Sequence, residues 1–420
     1  MVARSLLAVA RSGSMVVLVA SLGCAAQSQK DGTEASLDVD AAPAADAGLR
    51  PDAAPSLDDA DPSTGFDAPD VTTVIDGDLD GYAREDDCDD ANAQVNPGAL
   101  ELPGDGLDND CDGVKDDAPA ECDTGLSLAS ADALDFARSL GICRTTKPDA
   151  KGKERRWGVI SATLETTDGK GAPMPRQYGV QPRWGSNVLP RAGGSLVALS
   201  TGAARTPDQP DYKAFPKGVD ATSNVNEPPS GWPKNTKGCP ASSRKTAQDS
   251  VVLHLVVRVP TNVDAFQFDF DFYTSEYVEY VCQAYNDTFV AILSSKAALP
   301  ASADGNVSFT GDGDPVNVNS GFFGACSPDS WLGKSFDCPL GTRELVGTGF
   351  DATPSSLTSP ARNGATGWLR TTAKVVAGEE IDLRFMIWNT GDHWLQSSVL
   401  LDAFRWEPAP VDATKTERPK

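Results

Sequence analysis

From Ala265 to Tyr273 hydrophobic and polar residues alternate without a break. Phe266, Phe268, Phe270 and Phe272 fall on one side and Gln267, Asp269 and Asp271 on the other. Strict period-two alternation predicts a strand with one buried face. Val251 to Val259 is almost continuously apolar, the pattern of a central strand. Thr288 to Leu293, Trp368 to Val376, Ile381 to Trp388 and Ser398 to Trp406 complete the set. Long stretches rich in Gly, Pro, Asn and Ser separate these runs, as at 205–240 and 301–335. Many strands with one aromatic face predict a mainly β domain over 124–410, two packed antiparallel sheets in a sandwich or jelly roll. One helix is expected ahead of them. In Ala129 to Gly141, Leu134, Ala137 and Leu140 share a face, Ser130 is placed to cap the start and Gly141 to end it.

Before that helix the pattern disappears. Residues 25–73 are rich in Ala, Asp, Pro and Ser, with Phe66 as their only aromatic. Such a stretch buries too little apolar surface to offset its ordering entropy, and its charges repel, so an extended, disordered tether is expected. A disordered tail is expected at 411–420. At the front, Arg4 and Arg11 precede the apolar run Met15 to Leu22, which ends at Gly23-Cys24. Residues 1–24 read as a targeting segment, too short to span a bilayer as a mature helix. The small residue followed by Cys resembles a bacterial lipobox, with Ser21 where Leu is usual. That resemblance implies a lipid on Cys24 and a membrane as partner, in an exported outer-membrane or cell-surface lipoprotein.

Charge is confined to one region. Between Asp31 and Asp123 stand 28 Asp and Glu residues against Arg50, Arg84 and Lys115, while the whole chain sums to −24. Phosphate backbones need Lys and Arg, so nucleic acid is excluded as a partner. Setting Cys24 aside leaves eight cysteines: Cys88, Cys111, Cys122, Cys143, Cys239, Cys282, Cys326 and Cys338. An even number suits disulfides in an oxidising compartment. Locality suggests Cys88–Cys111, Cys122–Cys143 and Cys326–Cys338, which leaves Cys239–Cys282; other connectivities stay open. With no Cys-x-x-Cys and only His254 and His393, zinc is not expected.

Within the acidic region, residues 74–123 are ordered by pattern. In a calcium loop the ligands come from alternate residues, and a glycine permits the sharp turn. With Asp76 as position 1, Asp78 is 3, Asp80 is 5, Gly81 is 6, the Tyr82 carbonyl is 7 and Asp87 is 12. Aspartate replaces the usual bidentate Glu at the last position, and no helices flank the loop by pattern. A second run offers Asp108, Asp110, Asp112 and Asp116 around Gly113. Oxygen-only ligands favour structural calcium on hard–soft grounds. Without metal so many carboxylates would repel one another, so this module is expected to fold with its ion. Residues 76–117, through Asp-Gly-Asp, Asp-Cys-Asp-Asp, Asn-Pro-Gly-Ala and Gly-Leu-Asp-Asn-Asp-Cys-Asp-Gly, resemble the MopE-type metal-binding motif of secreted bacterial proteins. They are also similar to thrombospondin type 3 calcium repeats. The resemblance implies a Cys88–Cys111 disulfide and calcium on the surrounding carboxylates.

In the β region, Gly194 to Ala203, Phe268 to Tyr277, Tyr285 to Phe289 and Asp392 to Phe404 resemble the choice-of-anchor L family over about residues 130–408. That family implies a cell-surface location more firmly than any reaction. Glu276, Asn286, Asp287, Asp392 and Asp402 fall at expected strand ends or loops, where they either hold a further calcium ion or cap turns. Loop residues Trp184, Trp232, Trp331 and Trp394 either bind sugars or a partner, or plug the core. For catalysis, His393 with Glu276 is the better candidate, whereas His254 reads as a strand residue. No Gly-x-Ser-x-Gly, His-Glu-x-x-His or P-loop occurs. The expectation is a non-catalytic, surface-anchored, calcium-stabilised lipoprotein that binds an extracellular glycan or protein. The alternative is a secreted glycan-directed hydrolase using carboxylates or His393.

Overall fold

The alternating phenylalanines form the strand at the centre of the molecule, and both of its faces are covered. The computed structural model describes residues 75–214, 225–240, 244–300, 304–331, 334–351 and 363–419. The targeting segment with Cys24 and the tether at 25–73 lie outside the described residues. One sheet contains β1 (Gly158–Glu165), β4 (Val225–Asn226), β5 (Ala247–Arg258), β7 (Thr288–Ser294), β8 (Val316–Asn317) and β14 (Glu380–Thr390). Its order is β1-β5-β14-β7-β8, with β4 also on β5. The other contains β2 (Tyr178–Gln181), β3 (Leu196–Ser200), β6 (Ala265–Thr274), β9 (Ala325–Cys326), β12 (Gly364–Ala365), β13 (Leu369–Lys374), β15 (Ser397–Glu407) and β16 (Lys415–Glu417). Its order is β16-β13-β6-β15-β3-β2, with β12 joining β6 to β9. A separate hairpin pairs β10 (Asp329–Trp331) with β11 (Lys334–Phe336). Every pairing between these strands is antiparallel.

The core lies between the sheets. Phe268 of β6 meets Phe385 of β14 edge-on at 5.0 Å, and Phe270 meets Phe289 of β7 at 4.9 Å. Val251, Leu253, Leu255 and Val257 of β5 fill the facing layer. The expected polar face of β6 is not solvated. Asp269 and Asp271 are fully buried, because loops bearing Trp184, Leu345 and Phe350 cover the outside of this sheet. Asp269 is neutralised there by Arg370 at 2.6 Å and Arg191 at 3.1 Å. The loop residue Trp232 covers the other sheet in the same way, packing on Met386 and Trp388 of β14. Trp184 and Trp232 are therefore plugs, while Trp394 is 61% exposed.

Three local expectations are revised. The helix, α1 (Ala133–Ser139), is shorter than expected and is capped by Asp132, whose carboxylate accepts from Leu134 N; the Ser130 hydroxyl donates to Asp135 instead. Gly141, at φ +96°, ends it as expected: its N–H reaches Arg138 O, and Ile142 N reaches Ala137 O. The expected tail at 411–420 contains β16, which pairs Thr416 with Thr371 of β13. Residues 75–123 are bonded onto the sandwich, within one compact unit that spans 71–420. The three disulfides suggested by locality form, Cys88–Cys111, Cys122–Cys143 and Cys326–Cys338, and so does the remaining pair, Cys239–Cys282.

Candidate metal centre

In the first loop each aspartate is fixed through its backbone neighbours. Asp76 accepts from Leu79 N at 2.7 Å and Gly81 N at 3.1 Å. Asp78 accepts from Asp80 N, Asp80 from Tyr82 N and Asp87 from Asp89 N, each through Oδ1. The second oxygens of Asp78, Asp80 and Asp87 are buried and meet no donor. Gly81 takes φ +97° at the position where the loop reverses. Carboxylate oxygens of Asp76, Asp78 and Asp80 come within 4.8 Å of one another. Burial, with Asp78 and Asp87 alongside, pushes Asp80 up to about 6 despite the bond from Tyr82 N–H. Buried oxygens without donors on Asp78 and Asp80, clustered with Asp76, make a cradle for a cation.

The second loop repeats the plan. Asp108, at the matching first position, accepts from Asp112 N and Gly113 N, and Gly113 sits at φ +95°. Here the structure changes the ligand set. Asp116 turns away from the cluster, and its Oδ1 accepts from Gly104 N at 2.6 Å and Gly106 N at 3.0 Å. The buried oxygens without donors are Asp110 Oδ1 and Asp117 Oδ1. Glu101 joins Asp108 and Asp110 within 4.8 Å, while Asp112 is not in that group. Glu101 also organises the loop: its carboxylate accepts from Asn109 N, Asp110 N and Asp116 N. A glutamate between the two aspartate runs was the signal for it, and Asp117 was one residue from the expected ligand. Asp87 also lies against Cys88 and Cys111, but both sulfurs are committed to their disulfide.

The loops are built into the sandwich surface. Tyr82 is buried, donates its hydroxyl to Arg155 O and lies under the Arg155 guanidinium. The side chain of Asn262 bonds both Leu100 N and Leu100 O, at 2.7 and 2.9 Å. Thr261 N donates to Gly98 O, and Arg144 pairs with Asp110 at 2.5 Å while stacking on Trp157. A cavity of about 590 Å³ remains at this seam, lined by Trp157, Phe404, Trp406 and Arg144 together with Glu101 and Asp117.

Of the five acceptors expected in the sandwich, four come to one end. Glu276 Oε2 accepts from Asp287 N, Asn286 precedes Asp287, and Asp392 adds its charge to both acids. Asp402 does not join them. It sits at a bulge of β15 beside Asp269, five residues from the Ser397 that touches Asp287, roughly 17 Å along a strand. Its carboxylate accepts from Arg191, Ala192 and Ala403 N–H groups, the turn-capping role. The carboxylate on His393 Nδ1 is that of Asp249, at 2.9 Å. His254 bridges Asp382 and Glu165 across the outer face of β5.

A profile of the MopE-type metal-binding motif, whose name carries copper, matches residues 87–117. It begins after the first loop, so Asp76 to Tyr82 rests on geometry alone. No curated protein and no solved structure matches the chain. The choice-of-anchor L domain profile matches residues 162–405, more than half of the sequence, from within β1 to within β15. The chain belongs to the choice-of-anchor L family.

Proposed function

We propose that this is an exported, surface-anchored lipoprotein, tethered through Cys24, whose calcium-loaded loops and sandwich together form a non-catalytic adhesion or ligand-binding module. The observation that carries this reading is the seam. Metal ligands Glu101, Asp110 and Asp117 and the aromatic residues Trp157, Phe404 and Trp406 line one cavity, so ion and ligand would share a wall. Aromatic faces beside polar groups suit a glycan or a protein side chain. Calcium is favoured over copper because both loops offer carboxylate oxygens, and the sulfurs grouped with them among the described residues, Cys88 and Cys111, are in a disulfide. The test is binding of the purified protein to glycan arrays and to cells, in calcium and in chelator. Trp406→Ala should weaken binding tenfold or more, and chelation should do the same. Binding indifferent to both changes, or turnover of a polysaccharide or ester that His393→Ala stops, would sink the proposal.

A further inference from the structure

A second end of the sandwich, away from the acidic loops in sequence, gathers negative charge that no Lys or Arg among the described residues pairs with. Glu276 follows β6, Asp287 precedes β7, and Asp392 lies in the β14–β15 connection. Glu276 and Asp287 are 3% and 1% exposed, and Asp392 is half-buried at the rim. Their hydrogen bonds are few and neutral. Glu276 accepts from Asp287 N at 3.3 Å; Asp287 accepts from Thr390 N at 3.3 Å and from the Ser397 hydroxyl at 2.6 Å. Among the described residues no Lys or Arg pairs with Glu276, Asp287 or Asp392. Arg244, at the same end, donates to Gly391 O and stacks on Tyr285.

The neighbouring amides and hydroxyls give an independent sign. Asn286 Oδ1, Asn389 Oδ1 and Thr390 Oγ1 are buried and meet no donor. All three belong to residues at least nine-tenths buried that adjoin Asp287 in sequence or across its bond to Thr390. A buried acceptor without a donor costs about 1–3 kcal/mol, so the two amide oxygens, which can only accept, point to a missing positive group beside these carboxylates. Asp269 shows what this fold does when the chain supplies that group: two arginines converge on it. Here none does.

We propose that Glu276, Asp287, Asp392 and the Asn286 side-chain oxygen hold a divalent cation, calcium by their all-oxygen chemistry. The carboxylates are gathered less tightly than in the loops, where three come within 4.8 Å, so amide oxygens complete the shell. The ion ties the β6–β7 connection, with Cys282 of the Cys239–Cys282 disulfide, to the β14–β15 connection that displays Trp394. It would fix the loops at this end, as the first two sites fix the seam.

The competing account is a proton shared between Glu276 and Asp287. Calcium titration by calorimetry on the chelator-treated full chain separates the two. Glu276→Gln should bind one equivalent fewer than the unsubstituted protein, Asp80→Asn should lose a different one, and the double variant should lose two. Unchanged stoichiometry in Glu276→Gln, with a metal-free melting temperature equal to or above that of the parent, would overturn the cation in favour of the proton. Should Glu276→Gln not fold, Asp392→Asn at the rim serves instead. A tenfold loss of affinity at one site supports the proposal, and an unaltered titration refutes it.

Discussion

Asp269 in the sandwich and Asp80 in the first loop are both carboxylates withdrawn from water, and the chain treats them oppositely. Around Asp269 it provides two guanidiniums, from Arg191 in the β2–β3 connection that also bears Trp184 and from Arg370 on the neighbouring strand. Around Asp80 it provides a backbone N–H, the neutral amide of Asn96 and more carboxylates. The first arrangement is complete within the polypeptide. On the proposed reading the second is completed by a cation from solution, so stability that depends on the medium should be concentrated in the loops and their seam.

That contrast is broken most strongly by removing the internal counter-charge. Arg370→Ala leaves the buried Asp269 with Arg191 alone and should cost about 3–5 kcal/mol, equally in calcium and in chelator. Phe268→Ala should cost a similar ~3–5 kcal/mol by emptying the contact with Phe385. Denaturant unfolding under both conditions reads both; a loss that calcium abolishes would contradict the division. Next in size is the metal itself. At a hundredfold excess over its dissociation constant one calcium ion should stabilise the fold by about 2.7 kcal/mol, an effect that Asp80→Asn removes for the first loop. Calorimetric melting with and without chelator measures it. Smaller again is the joint between the regions. Asn262→Ala removes two bonds to Leu100 and should cost about 1–2 kcal/mol. It should also make hydrogen exchange in 76–117 faster while leaving β5 and β14 protected.

How much of this was legible follows the same division. The loops are written locally: alternating carboxylates, glycines at the turning positions and a disulfide within 23 residues of chain all appear in sequence order. The phenylalanine strand is equally local. What escaped was whatever depends on distant partners. The outer face of β6 looked solvated because Arg191 and Arg370, 78 and 101 residues from Asp269, and the loops bearing Trp184 and Phe350 cannot be placed from spacing. Asp116 and Asp117 are indistinguishable as ligands until the loop folds back and Gly104 and Gly106 claim the first. Ser130 and Asp132 are both good caps two residues apart, and Ser130 is drawn off by Asp135. Asp402 looked like a loop ligand because the bulge that aims it at Arg191 is made by pairing with β6.

The finest test of the contrast is one of sign, read as melting temperature against pH in metal-free protein. Burial pushes Asp402 up to about 7, against the pull of its three N–H donors. From about pH 4 to about 7 the folded chain therefore keeps a proton that the unfolded chain has released, and stability falls as pH rises through that window. In the loops, N–H bonds from Gly106 and Gly104 hold Asp116 below the usual carboxylate range. Its contribution is present above about pH 4 and is lost as acid is added; it is the smaller because the group is exposed and screened by water. Asp402→Asn should reduce the slope between pH 4 and 7, leaving the share below about pH 6 that Asp80 contributes, and leave the acid limb, while Asp116→Asn should soften the acid limb alone. If instead both substitutions change the same part of the profile, the loops and the sandwich titrate as one electrostatic unit. The separation between self-balanced and borrowed charge would then be one of geometry without a thermodynamic counterpart.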